Sequence, residues 1–152
     1  MELDVTDIKI LSNLLRDSRL SNRQIASKVG VSVGTVIAKI KKMENEGIIK
    51  GYSAILDYEK LGYELTVITE LTVSKGKLLK VEREIAKMPN VCAVYDVTGL
   101  TDAMVIGKFR NRKELSDFTK SLLAMRYIER TNTHVILSTI KEDFRLFDSI
   151  GR

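Results

Sequence analysis

The amino-acid sequence predicts an α+β chain, with a helical first third followed by alternating strands and helices. Two observations lead to this prediction. As far as about residue 45, apolar residues recur at the three- and four-residue spacing of amphipathic helices. From Tyr63 onward the spacing shortens to two, as is typical of a strand with one buried face.

The composition fits one ordinary globular domain or two small ones. The chain has 152 residues, of which 44% are hydrophobic and 30% charged. Its formal net charge of +5 permits a polyanionic partner without requiring one. The single cysteine, Cys92, excludes an internal disulfide framework, and we expect it to be a small core residue.

The sequence carries no sign of secretion or of membrane insertion. Glu2 and Asp4 stand where a signal peptide would carry positive charge. No apolar run approaches the roughly 20 residues that a membrane span requires. We therefore expect a cytoplasmic protein that has no membrane partner.

Capping signals mark the start of three helices in the N-terminal third. Asp4 and Asp7 are placed to cap the first helix, and Ser21 and Gln24 form a capping box for the second. Ser32 is placed to cap the third. Each cap stands beside an apolar residue that can pack against the first turn, so three helices are predicted.

A glycine turn joins the second and third helices. Gly30 lies where the second helix must end, and glycine adopts a positive φ without strain. The connection to Ser32 is too short for a relaxed antiparallel hairpin, so the two helices should cross steeply as a helix-turn-helix. The apolar residues that we expect the third helix to bury are Val33, Val36, Ile37, Ile40 and Met43.

The outward face of the third helix is small near its start and basic farther along. With the apolar residues inward, the residues left outside are Gly34, Thr35, Ala38, Lys39, Lys41, Lys42 and Asn45. Small residues can approach base edges in a major groove, and lysines can reach phosphates. Asn22 and Arg23 begin the second helix, where N–H groups and the helix dipole favour a phosphate. The pattern favours DNA binding over a merely solvated basic face.

The chain after Gly47 predicts a further strand, either a wing or a connector, because residues 48–56 are mostly apolar and include Tyr52. Tyr52 and Ile55 are too apolar for a loose linker, so we expect this strand to pair, for instance with its copy in a second subunit. The predicted domains are a helix-turn-helix domain over 1–50, a hinge strand and linker over 51–61, a second domain over 62–141 and a C-terminal tail over 142–152.

The second domain has the order strand, helix, strand, strand, helix, strand. The predicted strands are 65–73, 91–97, 103–109 and 131–140, and Asn111 with Glu114 forms a capping box for the second helix. This order predicts a ferredoxin-like βαββαβ sandwich with both helices on one sheet face. The sheet face that the helices do not cover should also be apolar, because it carries either Val94 and Ile136 or Tyr95 and Val135. An apolar face of this kind indicates a second copy of the chain as partner.

The loop between the central strands, Thr98-Gly99-Leu100-Thr101-Asp102, is either a plain turn or a ligand site. Its hydroxyls, its carboxylate and its exposed N–H groups could bind the ammonium and carboxylate of a small zwitterion. Both interpretations stay open at this point.

No pattern of catalytic or metal-binding residues is present in the sequence. His134 and Cys92 both lie in strand patterns, and no metal-ligand spacing or glycine-rich phosphate loop occurs. We expect neither an enzyme nor a metal or cofactor, and we expect His134 at a surface or interface. A ligand-sensing oligomeric module that acts through protein–protein contacts is the alternative to DNA binding.

The motifs together resemble the Lrp/AsnC (feast/famine) transcription regulators. The resemblance is carried by "LDVTDIKILSNLLRDSR", by "SNRQIASKVGVSVGTVIAKIKKMENEGIIKGYSAILD" and by a βαββαβ unit that contains "TGLTD", from about Leu3 to Ile140. It implies a winged helix-turn-helix joined by a hinge strand to an amino-acid-responsive domain. It also implies dimers that assemble into rings, commonly octamers, whose DNA affinity changes when an amino acid binds between dimers.

The resemblance also implies roles for particular positions. The DNA-reading part falls on Ser32, Val33, Gly34, Thr35 and Lys39. The effector region falls on Gly99, Leu100, Thr101 and Asp102, together with Thr131 and Thr133 on the last strand. The chain departs from the family pattern at Lys39, where many members have Arg, and at Leu100 and Thr101, where many have an acidic or polar residue and an aromatic one.

Overall fold

The computed structural model describes residues 2–146, which fall into two compact units. The first unit comprises the chain up to Ile55 together with the segment that starts at Lys141. The second unit is Leu56–Ile140. The boundary near Ile55 lies inside the predicted hinge segment, and residues 147–152 of the predicted tail lie outside the described residues.

The first unit is built from three helices, and its caps confirm the predicted starts. The helices are α1 (Val5–Arg16), α2 (Asn22–Val29) and α3 (Val33–Asn45). Complete capping boxes begin α1 and α2, and the Ser32 hydroxyl accepts the Thr35 N–H over 3.1 Å. Gly30 ends α2 with φ of +82°, a left-handed conformation in which a residue with a Cβ would be strained.

The core of the first unit lies where the three helices meet. Ile10, Ile25, Val36 and Met43 are fully buried there. The prediction that Val33 and Ile37 face inward is wrong, because their side chains are 38% and 48% exposed. Each residue of a helix turns about 100°, so Ile37 falls to the side of the stripe that runs through Val36 and Met43.

Residues 50–57, all of them described, form no strand within this chain, contrary to the predicted hinge strand. A strand needs a hydrogen-bonding neighbour, and the helical unit supplies none. The segment is anchored instead by the Tyr52 hydroxyl, which donates to Glu44 Oε1 over 2.9 Å. The segment is therefore not a strand within one copy of the chain, and its pairing with a second copy stays a prediction.

The second unit has the predicted order of elements, which confirms the ferredoxin-like sandwich. The elements are β1 (Leu65–Val73), α4 (Leu78–Ile85), β2 (Val91–Asp96), β3 (Ala103–Phe109), α5 (Arg112–Leu123) and β4 (Ile128–Val135). The four strands form one antiparallel sheet in the order β2-β3-β1-β4. Its core includes Val67, Leu71, Val105 and Phe109 with residues of α4 and α5.

The last strand begins and ends earlier than the predicted range of 131–140. Ile128 already pairs with Val73, and the strand ends at Val135, opposite Val67. The next residue, Ile136, donates its N–H to Thr66, close to the start of β1. Strand β1 therefore offers no residues with which the chain could pair as far as residue 140, so β4 ends earlier than predicted.

Strand register decides which apolar residues face away from the helices. Val94 lies opposite the buried Val105, and Val135 lies opposite the buried Val67, so both belong to the helix-covered face. Tyr95, opposite Met104, lies on the uncovered face and is 48% exposed. Neither predicted pair therefore shares a single face.

Two smaller predictions in this unit are corrected by the structure. Cys92 is exposed and not in the core, because the register shifts between Val91 and Ala93 and leaves Cys92 at an irregularity of the edge strand. Asn111 caps α5 as predicted, but the Glu114 carboxylate accepts the N–H of Arg110, so the capping box is incomplete.

Candidate nucleic-acid interface and effector region

The outward face of α3 presents small residues first and lysines later. Gly34, Ala38, Lys41 and Lys42 are exposed along it, and Asn45 ends the helix. Small side chains permit close approach of a helix to base edges, whereas lysines reach the phosphates beside them. This arrangement suits a helix that enters a major groove.

The start of α3 is organised by two hydroxyls. The Ser32 Oγ, which caps the helix, lies 2.8 Å from the Thr35 Oγ1. Ser32 is exposed and Thr35 is half-buried. Val33, which the family resemblance places among the DNA-reading residues, is exposed beside them. The two hydroxyls hold each other in place at the tip of the helix.

Lys39 does not extend from the outward face, so the prediction that it is a free cation there is wrong. Its Nζ lies 2.5 Å from Asp4 Oδ2 and 3.0 Å from Asp7 Oδ1, and its side chain is only 22% exposed. Lys39 stands three residues after the buried Val36 and four before the buried Met43, which turns it toward α1. Its ammonium therefore joins the start of α1 to the middle of α3.

The bond between Lys39 and Asp4 shifts the pKa values of both groups. The side-chain hydrogen bond from Lys39, with help from the Asp7 N–H, lowers the pKa of the Asp4 carboxyl to about 2. The same bond, followed by that to Asp7, raises the pKa of Lys39 above its ordinary value. Both groups are thus charged across the physiological range of pH.

A shallow pocket of about 500 Å³ connects the start of α2 with the flank of α3. Asn22, Ile37 and Lys41 line it together with residues of α1 and Tyr52. Arg23 is exposed next to Asn22. Ile37 was predicted to be buried together with Val36 and therefore not counted among the functional residues. The angle of each residue around the helix would have separated the two.

Asp102 braces the loop between β2 and β3. Its Oδ2 accepts the Val73 N–H over 2.8 Å, its own N–H donates to Leu71, and its carbonyl accepts the Val97 N–H. At the tip of the loop, Gly99 has φ of +122° and Leu100 is 98% exposed. One carboxylate oxygen of Asp102 is thus committed to the backbone of β1.

A polar pocket of about 350 Å³ lies beside this loop. Of the predicted effector residues, Thr101 and Thr131 line it, whereas Gly99, Leu100, Asp102 and Thr133 do not. Thr133 Oγ1 lies instead 3.1 Å from Thr69 Oγ1. The other residues that line the pocket are Glu70, Thr72, Arg130 and Asn132.

Glu70 and Arg130 give this pocket one charge of each sign, and the sequence analysis missed both. A hydrogen bond from Asn132, followed by one from His134, lowers the pKa of Glu70, so its carboxylate is ionised. His134 is exposed, and its Nε2 lies 3.3 Å from Glu70 Oε2. Only the pairing of β1 with β4 brings these residues together, and their positions in the sequence gave no signal of it.

Within residues 2–146, no group of three or more His, Cys, Asp or Glu side chains is placed to hold a metal ion. None of the helices in this range combines the length and apolarity that a bilayer span requires.

Comparison with known proteins assigns both units. Residues 3–50 match a winged helix-turn-helix DNA-binding family, and residues 66–146 match the Lrp/AsnC ligand binding domain. An HTH-type transcriptional regulator of Pyrococcus furiosus is 52% identical over 146 residues, which covers 96% of this chain and 99% of the relative. LrpC of Bacillus subtilis, also an HTH-type transcriptional regulator, is 31% identical over 140 residues and covers 92% of this chain and 95% of its own.

Solved structures agree with this assignment. The structure of Bacillus subtilis LrpC has a TM-score of 0.82 at 31% identity and covers 94% of this chain and all of its own. A transcriptional regulator of Neisseria meningitidis, solved as a complex with L-Met, has a TM-score of 0.87 at 28% identity and covers 95% of this chain and 96% of its own. Both HTH-type relatives are transcriptional regulators by name. From its helix-turn-helix, its ferredoxin-like unit and these similarities along nearly its whole length, the chain belongs to the Lrp/AsnC family of transcriptional regulators.

Proposed function

We propose that this regulator binds duplex DNA sequence-specifically through the outward face of α3 and the start of α2. The observation that carries the proposal is the exposed row of Gly34, Ala38, Lys41 and Lys42 on α3, a helix whose start is fixed by the Ser32 cap. Such a helix offers close approach near its start and positive charge farther along.

Each group on this face has a distinct task. Gly34 and Ala38 leave room for base edges, and the exposed Ile37 offers methyl groups to the C5-methyl of thymine. Ser32, Val33 and Thr35 form the tip of the helix. Lys41 and Lys42 contact phosphates, as do Asn22 and Arg23 at the start of α2. Lys39, held by Asp4 and Asp7, is left out of this set.

Replacement of the two exposed lysines tests the proposal. The double variant Lys41→Gln, Lys42→Gln should weaken binding to every duplex and reduce the slope of log K against log salt by about 1.8, at about 0.9 for each phosphate contact. Ile37→Ala should change the preferred sequence and leave the slope unaltered. Fluorescence anisotropy with labelled duplexes at several salt concentrations measures both effects.

A matched control is the double variant Lys9→Gln, Lys28→Gln, which removes two exposed charges elsewhere in the same unit. Binding by the control should equal that of the parent. If the Lys41, Lys42 variant keeps the affinity and salt slope of the parent, this face does not contact DNA, and the helical unit serves as a surface for protein–protein contacts instead.

We also propose that an amino-acid-type effector binds in the polar pocket beside the Asp102 loop and modulates DNA affinity or assembly. Glu70 and Arg130 supply the opposite charges that the ammonium and the carboxylate of an amino acid require, and Thr101 and Thr131 supply hydroxyls. The L-Met complex of the Neisseria relative supports a ligand of this class. Asp102 contributes by holding the loop against β1.

Thermal shift and calorimetry with each common amino acid test the effector proposal. At least one amino acid should stabilise the parent, and Arg130→Gln and Asp102→Ala should each abolish the effect. Arg110→Gln, an exposed arginine outside the pocket, is the control and should respond as the parent does. A parent that no amino acid stabilises, or a full response by Arg130→Gln, would remove the pocket from consideration.

The partners in this proposal are double-stranded DNA, a free amino acid and further copies of the chain. The copies form a homodimer, and homodimers form a ring such as an octamer. The proposed location is the cytoplasm. The uncovered sheet face with Tyr95, Met104 and Ile106 supports self-association. So does the hinge segment, where Tyr52 and Ile55 are exposed and the backbone pairs with no strand among residues 2–146.

A further inference from the structure

Three cationic side chains surround one tyrosine ring in the second unit. The Nζ atoms of Lys77 and Lys80 each lie 5.3 Å from the centre of the Tyr127 ring, and the Arg126 guanidinium carbon lies 5.5 Å from it. Lys77 immediately precedes α4, Lys80 lies in its first turn, and Arg126 and Tyr127 connect α5 to β4. We refer to these four residues as the Tyr127 basic cluster.

The backbone holds this cluster together. The Ser74 N–H donates to the Tyr127 carbonyl over 2.9 Å, and the Lys77 N–H donates to the Ser74 carbonyl over 3.0 Å. Tyr127 is half-buried and packs against the core of the sandwich. These hydrogen bonds fix the segment that follows β1 to the segment that precedes β4. Cations from both segments therefore lie beside one ring.

The cations of the cluster form no ion pair within the described part of the chain. Among residues 2–146, no carboxylate forms an ion pair with Lys77, Lys80 or Arg126, in contrast to Lys39 and Lys113, each of which has an aspartate partner. All three side chains are exposed. In addition, α4 begins here without a capping side chain or an acid in its first turn, so the helix dipole adds to the positive potential.

We infer that the Tyr127 basic cluster is a second DNA-contacting surface, which binds the phosphate backbone independently of sequence. The three cations are exposed and come from two separate segments around one half-buried ring. A polyanion can contact all three through successive phosphates, so the cluster suits it better than a small anion. Release of condensed counterions drives such binding. This inference rests on the proposed DNA binding by α3 and adds contacts to it.

The test uses the full chain and a duplex several helical turns long. In the triple variant Lys77→Gln, Lys80→Gln, Arg126→Gln, the slope of log K against log salt should fall by about 2.7, at about 0.9 for each lost contact. The order of preference among duplex sequences should not change, because phosphates carry no sequence information. Anisotropy titrations over a range of salt concentrations measure both quantities, and circular dichroism melting verifies that the variant is folded.

The control is the triple variant Arg112→Gln, Lys113→Gln, Lys120→Gln on α5, which removes the same charge from exposed positions of the same unit. It should keep the slope of the parent. An unchanged slope in the cluster variant, or an equal loss in both triple variants, overturns the inference. The Lys41, Lys42 variant reports separately on α3, so failure of the proposed function would be distinguished from failure of this inference.

Discussion

At the scale of single residues, Lys39 shows that a charge in a recognition helix acquires its role from its neighbours. Its ammonium forms ion pairs with the exposed carboxylate of Asp4 and with the carboxylate of Asp7, a buried residue that is only 4% exposed. These two acids also form the capping box of α1. One lysine therefore completes the start of α1 and fixes it against α3, while Lys41 and Lys42 stay exposed.

Removal of this lysine should affect stability and not the number of phosphate contacts. Lys39→Met keeps the aliphatic stem but leaves the buried Asp7 carboxylate without its cation, which should lower the free energy of unfolding by about 1–3 kcal/mol. The salt slope of DNA binding should equal that of the parent under conditions where the variant is folded. Urea denaturation and anisotropy titration measure the two effects.

Lys41→Met, an exposed neighbour, is the matched variant for this comparison. It should change stability by no more than about 0.5 kcal/mol but reduce the salt slope by about 0.9. The opposite result, a stable Lys39→Met with a reduced slope, would return Lys39 to the DNA-contacting set.

Asp4 should make the first unit sensitive to acid. Its folded-state pKa of about 2 is lower than that of an unfolded aspartate, so its contribution to stability is present above about pH 4 and disappears as the pH falls toward 2. Asp4→Asn should remove part of the acid dependence between about pH 4 and pH 2. Fluorescence or circular dichroism denaturation across this range would show it, and curves for parent and variant that stay parallel would contradict it.

At the scale of elements, the sheet and its helices meet through a close contact at Gly107. In β3 the residues Val105, Gly107 and Phe109 face the helices, and the Phe109 ring folds back over the glycine. A Cβ at position 107 would lie 2.8 Å from this ring, which is fully buried and packs against Phe118 with 5.0 Å between ring centres. A Cβ at position 107 would therefore require this buried ring to shift within the packed core.

Gly107→Ala should therefore destabilise the second unit by about 1–3 kcal/mol, the usual cost of overfilling a packed core. Chemical denaturation measures the loss. The companion variant Gly107→Ala, Phe109→Leu removes the ring that causes the clash, so the alanine should cost less in that background than in the parent. An alanine cost that is equal in both backgrounds would show that the ring contact is not its cause.

At the scale of the whole molecule, two features of the described residues concern assembly: the sheet face that α4 and α5 do not cover, and the hinge segment 50–57, which forms no strand. Ile68, Met104 and Ile106 lie on the face away from α4 and α5, with Tyr95 on the neighbouring strand. Contiguous apolar residues on an open sheet face indicate a partner surface, which in the proposed self-association is a second copy of the chain.

A charge on this face should weaken self-association. Tyr95→Glu and Ile106→Glu should each shift the protein from dimer or ring toward monomer in sedimentation velocity, because a carboxylate would be buried in the interface without a partner. Leu79→Glu, at an exposed apolar position on α4, is the control and should assemble as the parent does. If both Tyr95→Glu and Ile106→Glu assemble as the parent does, the interface lies elsewhere on the protein.

Much of this architecture follows from local rules that the sequence contains. The caps at Asp4, Ser21 and Ser32 and the reversal at Gly30 depend on hydrogen bonds within a few residues, so spacing alone predicted them. The two-residue alternation likewise predicted that β1 is a strand. The small and basic outward face of α3, and with it the DNA-binding function, could be predicted for the same reason.

Contacts between distant residues were decided only by the tertiary structure. The ion pairs of Lys39 join residues more than thirty positions apart, and the meeting of Glu70 with Arg130 depends on the register of β1 with β4. Cations from two separate segments converge on Tyr127 by the same means. Helical and strand periodicity describe one element at a time, whereas the partner of a charged side chain is set by how elements pack against each other.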